Sequence, residues 1–385
     1  MKAALVLMRY NPFGGYERQA ALIADALLKR RDQVHIFAHR WPEAATPGAV
    51  VHPVPMVRGA SFLKVLSFAL SARSRLSKLR KEFDVVVGFD RTLDMDIYRA
   101  GNACHRAWLE RRRLMDGPMG RLSVLFNPLH RIINRIERRI FLDESDRIFV
   151  VLSHLGRRQI QRFYPVADDR FVVIPPGVDA SRFPQDRRAA WRAEVRSRLG
   201  LRAGAPVLLH VGSGFRIKGI EATIRCLAKL APPADRAVLL VAGKGNPRPY
   251  EALARRLNVH DRVQFMGPVS DPASLYAAAD LFVLPTLFDT FGVVVLEAMA
   301  GGLPVVVGSG AGAAELVMER DCGRVVSSPV SPDELAETIT ALFGDPAEMR
   351  RLGERGQKAA GLLTVERRTA DFLGVMDRMA ERTST

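Results

Sequence analysis

Short apolar strands that alternate with longer amphipathic stretches predict an α/β protein built from two doubly wound parallel sheets. Three observations carry the prediction. Strand-like runs recur through both halves of the chain, and some, such as Val85-Val86-Val87, are continuous β-branched stretches suited to strands covered on both faces. The segment Phe171-Val-Val-Ile-Pro-Pro-Gly-Val-Asp179 then interrupts the pattern with two prolines and a glycine before a new strand series begins. With 385 residues, each half is long enough to bury its own core.

In chain order, the first half offers strands at Ala3–Met8, Val34–Ala38, Val51–Pro55, Val85–Gly88 and Arg147–Leu152. A charged helical stretch, Asp186–Leu199, follows the break. The second half offers Val207–Val211, Ala237–Gly243, Val263–Met266, Leu281–Pro285 and Pro304–Val307. An amphipathic helix at about Thr364–Arg382 closes the chain. The expected domains are therefore 1–172 and 173–363, with a terminal helical segment, 364–385. Two such sheets imply ligands beyond their C-terminal strand ends, in a cleft where the domains face each other.

Several loops at those strand ends have the residues for a nucleotide site. Gly14 and Gly15 follow the first strand, allow close backbone approach and open a helix whose free N–H groups suit a negative charge. In the second half, Val211-Gly-Ser-Gly-Phe-Arg-Ile-Lys-Gly219 combines Gly212 and Gly214 with Arg216 and Lys218 at a helix start, enough cationic character for a diphosphate. The richest stretch is Leu284–Val307, with Asp289 and Glu297 on either side of a Phe291-Gly292 step that starts an apolar helix. Glu297 has two acceptor oxygens for a vicinal diol. Asp94, Asp96, Asn102 and His105 crowd one stretch after the Val85–Gly88 strand and mark a candidate acceptor region, with His105 a possible base.

Composition narrows the partners. A net charge of +16 favours polyanions: nucleic acid, an anionic membrane or an anionic substrate. Cys104, Cys226 and Cys322 are too widely spaced for a disulfide framework or a metal pattern, which suggests a reducing compartment. No apolar run approaches the ~20 residues of a membrane span, and the N-terminal run reads as a buried strand, so the expected location is cytoplasmic.

The charge concentrates in an arm at about 105–141, where nine arginines face only Glu110, Asp116 and Glu137 between Arg106 and Arg139. Arg106, Trp108, Arg111, Arg112 and Arg113 predict contact with an anionic membrane surface, where each basic residue adds ~1 kcal/mol. The later part, with Ile132, Ile136 and Ile140 four residues apart, reads as a helix packed on its own domain. No nucleic-acid module accompanies the charge, so no nucleic-acid partner is expected.

The Leu284–Val307 stretch resembles the donor signature of glycosyltransferase family 4, whose fold is GT-B, two Rossmann-like domains. The Phe13-Gly-Gly loop, Val87-Gly-Phe, Asp96-Ile-Tyr, Ile174-Pro-Pro-Gly, Val211-Gly-Ser and Lys218-Gly extend the likeness to the branch that glucosylates the lipopolysaccharide core. The resemblance implies a retaining, metal-independent transfer of glucose from UDP-glucose to an inner-core heptose at the cytoplasmic membrane face, without a cofactor. It implies Lys218 and Arg216 at the leaving diphosphate, together with the backbone N–H groups around Phe291–Val294, Glu297 on the ribose and Asp289 at the sugar, where the family usually has Glu. Ile217 stands where close relatives often have Arg. Gly14, Gly15, Gly214, Met266, Gly267, Phe291, Gly292 and Val293 join the donor contacts, with Met266 and Gly267 near the base, and Gly15 also belongs to the catalytic set. Glu17, Asp96, Asn102 and His105 would meet the acceptor. Other donors, UDP-GlcNAc or GDP-mannose, other lipid-linked acceptors, and an inactive polyanion-binding protein of the same fold stay open.

Overall fold

The computed structural model describes the chain except residues 12–14, 103, 117–121, 123, 125, 144, 203 and 385 and the side chains of 383–384. It divides into two compact units, Met1–Pro175 with Glu366–Thr385, and Pro176–Val365.

The first unit is a seven-stranded sheet. Its strands are β1 (Lys2–Arg9), β2 (Gln33–Arg40), β3 (Val50–Pro53), β4 (Val85–Gly88), β5 (Ile97–Arg99), β6 (Ile148–Val151) and β7 (Phe171–Val173). All pairs are parallel, in the order β3-β2-β1-β4-β5-β6-β7. The order reverses beside β1, so the loops after β1 and β4 flank the switch point where doubly wound sheets take ligands. Alternating sides of β1 need separate covers, and the face with Leu5 and Leu7 is closed by Ile23 and Leu27 of helix Gly15–Lys29. Helix Val365–Ser384 adds Phe372, Val375, Met376 and Met379 to that same core. Arg30 fixes it further through paired hydrogen bonds to Asp377, 2.8 and 2.9 Å.

The second unit is a six-stranded sheet of β8 (Val207–Val211), β9 (Val238–Ala242), β10 (Val263–Gly267), β11 (Leu281–Leu284), β12 (Val305–Gly308) and β13 (Gly323–Val326). Its order, β10-β9-β8-β11-β12-β13, again parallel, puts the loops after β8 and β11 side by side at the switch. Leu208, Leu239, Val241, Leu281 and Val283 form the middle of its core under Ile220, Ile224 and Leu227.

The ten strands expected from sequence all form. Three more, β5, β7 and β13, were not expected, and two of them have only three residues. That is too short for a period to show. β7 lies inside the stretch read as a boundary, just before the prolines. The three cysteines are buried and unpaired. Among the described residues, no helix is long and apolar enough to cross a membrane.

Candidate active site

In the second unit, the loop after β8 turns tightly because Lys218 N–H reaches back to the Gly214 carbonyl at 3.3 Å. Gly214 is at φ +78° and Gly219 at +82°. Gly219 caps helix Ile220–Leu227 with its Cα so close to Pro285 that an added Cβ would lie 2.3 Å from the Pro285 carbonyl oxygen. Only glycine fits both the left-handed backbone and the contact. This approach brings the β8 loop against the β11 loop. The Leu287 N–H bonds to the Ile217 carbonyl at 2.8 Å, as does the Thr286 hydroxyl at 3.0 Å.

The two loops meet chemically at Lys218 and Asp289, whose ammonium donates to carboxylate Oδ2 in a short ion pair. Both side chains are largely shielded, 18% and 16% exposed. Asp289 is held in place from behind. Its Oδ1 accepts the Phe291 N–H at 3.2 Å, and its own N–H donates to Gly310 at 2.9 Å. Gly292, at φ +92°, starts helix Val293–Ala300 directly after it. Arg216 is exposed. His210 on β8 is fully buried beside Lys218, and burial together with the lysine charge pushes its pKa to about 3. A neutral imidazole therefore lies beneath the lysine, adding no second positive charge.

Glu297 sits one helical turn on from Val293, and both its oxygens are engaged. Tyr276 donates its hydroxyl at 2.9 Å, and Arg182 approaches at 3.4 Å while also bonding Asp271 at 2.8 Å. Burial, and next the nearby carboxylate, push the Tyr276 phenol well up, so it remains a donor. Neither partner was legible in sequence, since Arg182 is 115 and Tyr276 is 21 positions away. Met266 is at an irregularity of β10, and the Gly267 carbonyl accepts the Gly243 N–H at 2.8 Å beside the β8 loop.

In the first unit, Gly15 starts its helix and Gly14 lies outside the described residues. Glu17, in the first turn, is buried with Oε2 unpartnered. Burial raises its carboxyl above the ordinary range. Asn102 is half-buried between β5 and helix His105–Met115.

Two expected acceptor residues are built into the framework. Asp96 precedes β5, at the opposite strand end from Arg99. It takes two bonds from Arg80, 2.7 and 2.9 Å, and one from the Val86 N–H, 2.8 Å. Both Asp96 oxygens are thus committed to the framework at the N-terminal edge of the sheet. His105 is buried, its ring bonded to His130 at 3.0 Å and stacked on Trp108 at 5.4 Å. Burial, then the charge of Arg91, lowers its pKa to about 3, so it is neutral near pH 7.

The arm is more compact than its charge suggests. Arg112 bonds Asp116 at 2.9 Å and lies over Trp108, and Arg106 lies over the Phe163 ring at 4.8 Å. Arg113 is exposed and Arg111 half-exposed. Among the arm's described residues, the apolar ones turned to solvent are Leu114, Leu122 and Phe126, the last 71% exposed. Helix Pro128–Phe141 buries Ile133, Ile136, Glu137 and Ile140, whereas Ile132 is only partly covered. Glu137 therefore belongs to the buried face and does not offset the surface arginines.

Two parallel sheets with nucleotide-type loops at their switch points, one carrying a lysine–aspartate pair at a helix start, define the GT-B class of glycosyltransferases. Residues 13–182 match the model of Glycosyltransferase Family 4, and residues 192–359 that of Glycosyl transferases group 1. The chain thus carries a Glycosyltransferase Family 4 domain followed by a Glycosyl transferases group 1 domain. It is 29% identical over 351 residues to the lipopolysaccharide glucosyltransferase WaaG of Escherichia coli K12, covering 91% of each chain. A crystal structure of WaaG superposes with a TM-score of 0.82 at 26% identity, covering 97% of this chain and 99% of that one. A D-inositol 3-phosphate glycosyltransferase of Nocardia farcinica is 33% identical over 234 residues, 58% of this chain and 51% of that one.

Proposed function

We propose that this glycosyltransferase moves glucose from UDP-glucose to a heptose of the lipopolysaccharide inner core, with retention and without a metal, at the cytoplasmic face of the inner membrane. The observation that carries the reading is likeness to a lipopolysaccharide glucosyltransferase along nearly the whole of both chains.

In this mechanism Lys218 leaves Asp289 for the diphosphate as the sugar–phosphate bond breaks, and the amides that open helix Val293–Ala300 share the growing charge. Asp289, relieved of the lysine, accepts from a hydroxyl of the transferred glucose. Glu297 holds the uridine ribose. Charge stabilisation by a fixed cation and fixed amides takes the role a divalent ion has elsewhere, so the transfer needs none.

The test is UDP release by purified protein with UDP-glucose, UDP-GlcNAc or GDP-mannose, with and without truncated core lipopolysaccharide, in excess chelator. Release that requires UDP-glucose and the core together is the expected result. Release from a different donor would move the protein to another pathway, and complete loss in chelator would sink the metal-free mechanism.

The acceptor is lipid-borne, so the enzyme works at a surface. Leu114 and Phe126, with Arg111 and Arg113, are the arm's contribution to an anionic bilayer. Vesicles containing phosphatidylglycerol should float the protein and neutral vesicles should not. Replacing Leu114 and Phe126 with serine should release it, and undiminished flotation would remove the arm from the reading.

A further inference from the structure

Among the described residues of the first unit, Arg91, Arg99 and Arg147 are shielded arginines, and Arg99 is held differently from the other two. Arg91 donates to Glu137 at 2.8 Å. Arg147 donates to the Met95 and Ile140 carbonyls at 2.9 and 2.8 Å and to Asp143 at 3.0 Å. Arg99, only 4% exposed, has neither arrangement. Its Nε is buried without a partner, and among the described residues no carboxylate pairs with it. A buried cation without a hydrogen-bonded counter-charge is costly.

Its position gives the cost a purpose. Arg99 is the last residue of β5, in the middle of the sheet, at the C-terminal strand ends where doubly wound sheets bind ligands. The guanidinium folds over Gly101, where any Cβ would overlap Nη1 at 1.4 Å, so the missing side chain makes the room. Glu17 and Tyr16, in the first turn of helix Gly15–Lys29, are near enough to act on Arg99 electrostatically. Glu17 has its own orphaned buried oxygen, Oε2. A cation whose Nε has no partner and an acceptor oxygen without one thus lie at the same C-terminal edge of the sheet, within electrostatic reach of each other.

We infer that Arg99 and Glu17 form a recognition site for an acidic sugar, Arg99 taking an oxyanion of the acceptor and Glu17 a neighbouring hydroxyl. The oxyanion is a phosphate ester or a carboxylate, either of which matches a guanidinium. The inference rests on the proposed role of this unit in binding the acceptor and adds what the acceptor must carry. Acceptors lacking the acidic group would leave Arg99 unpaired, so the site discriminates against them.

The experiment uses the full chain and three probes: glucose 6-phosphate, glucuronate and glucose. Binding is read by calorimetry in wild type, Arg99→Met and Arg99→Lys, with UDP as the control ligand. One acidic probe should bind wild type, glucose should not, and Arg99→Met should lose about 10- to 100-fold in affinity, the worth of a charged hydrogen bond. Arg99→Lys should retain part of it. A phosphate requirement shows as glucose 6-phosphate alone binding, a carboxylate requirement as glucuronate alone. Arg99→Met without ligand should unfold at the same or a higher denaturant concentration, because a buried unpaired charge has been removed, whereas a purely structural Arg99 requires a lower one. Failure of both acidic probes to bind wild type, or equal binding by Arg99→Met, overturns the inference. UDP affinity reports separately on the donor site, so its loss in wild type would count against the proposed function and not against Arg99.

Discussion

Replacing Lys218 with alanine will lower kcat for sugar transfer by about 10²- to 10³-fold, with a smaller effect on donor affinity. The asymmetry follows from when the lysine is needed. Without donor its charge is already balanced by Asp289, so substrate binding exchanges one anionic partner for another. As the bond to the anomeric carbon breaks, negative charge on the diphosphate grows, and the fixed ammonium gains most at that moment. Asp289→Ala should also reduce turnover strongly, through lost sugar contact and through the Phe291 amide that the carboxylate anchors. Because the two residues form one unit, the double variant should be little worse than the poorer single one. Steady-state kinetics of the three proteins check this, and an unchanged kcat in Lys218→Ala would remove the lysine from the mechanism. Fully additive losses would mean that the Lys218–Asp289 pair has no part in the reaction.

Lys218 and Asp289 were legible in sequence because each is tied to a local pattern, a glycine-flanked cation after a strand and an acid before a Phe-Gly helix start. Gly219 shows why such a pattern is readable. Its backbone conformation and its contact with Pro285 both demand glycine, so the requirement is written into one position. The partners of Glu297 had no such trace. Arg182 and Tyr276 reach it from distant segments, and nothing in an isolated arginine or tyrosine foretells which carboxylate it will meet. The same limit explains Asp96. Its neighbourhood with Asp94, Asn102 and His105 in the chain suggested one polar cluster. In the fold, Asp96 and Arg99 lie at opposite ends of the three-residue β5, and the acid belongs to the framework. Arg99 itself was unremarkable as a residue, since its significance is the absence of a partner, which only the packed structure reveals.

Glu137→Ala will destabilise the first unit by about 3 kcal/mol or more, a large effect for a residue on a basic surface helix. In sequence it is one acid among nine arginines, and its removal would look harmless. In the fold it is almost fully buried and accepts from Arg91 at 2.8 Å and from the His105 N–H at 3.1 and 3.0 Å. Helix His105–Met115 begins at Cys104, which gives no side-chain cap, so Glu137 caps it from the neighbouring helix. Burial pushes the Glu137 carboxyl up, but Arg91 and the His105 amide pull the other way, and the ionised form is the one these donors require. Alanine would leave Arg91 short of its carboxylate and the helix start uncapped. Glu137→Gln preserves shape and one acceptor oxygen, so it should cost clearly less than alanine while still losing the ion pair. Denaturant unfolding, followed by the fluorescence of Trp108 beside His105, measures both variants. Equal stability of Glu137→Ala and wild type would mean that the arm is held by its apolar face alone. The expected loss instead makes the placement of the arm's arginines depend on one buried acid, because the helices that carry them are fixed to each other and to the sheet through Glu137.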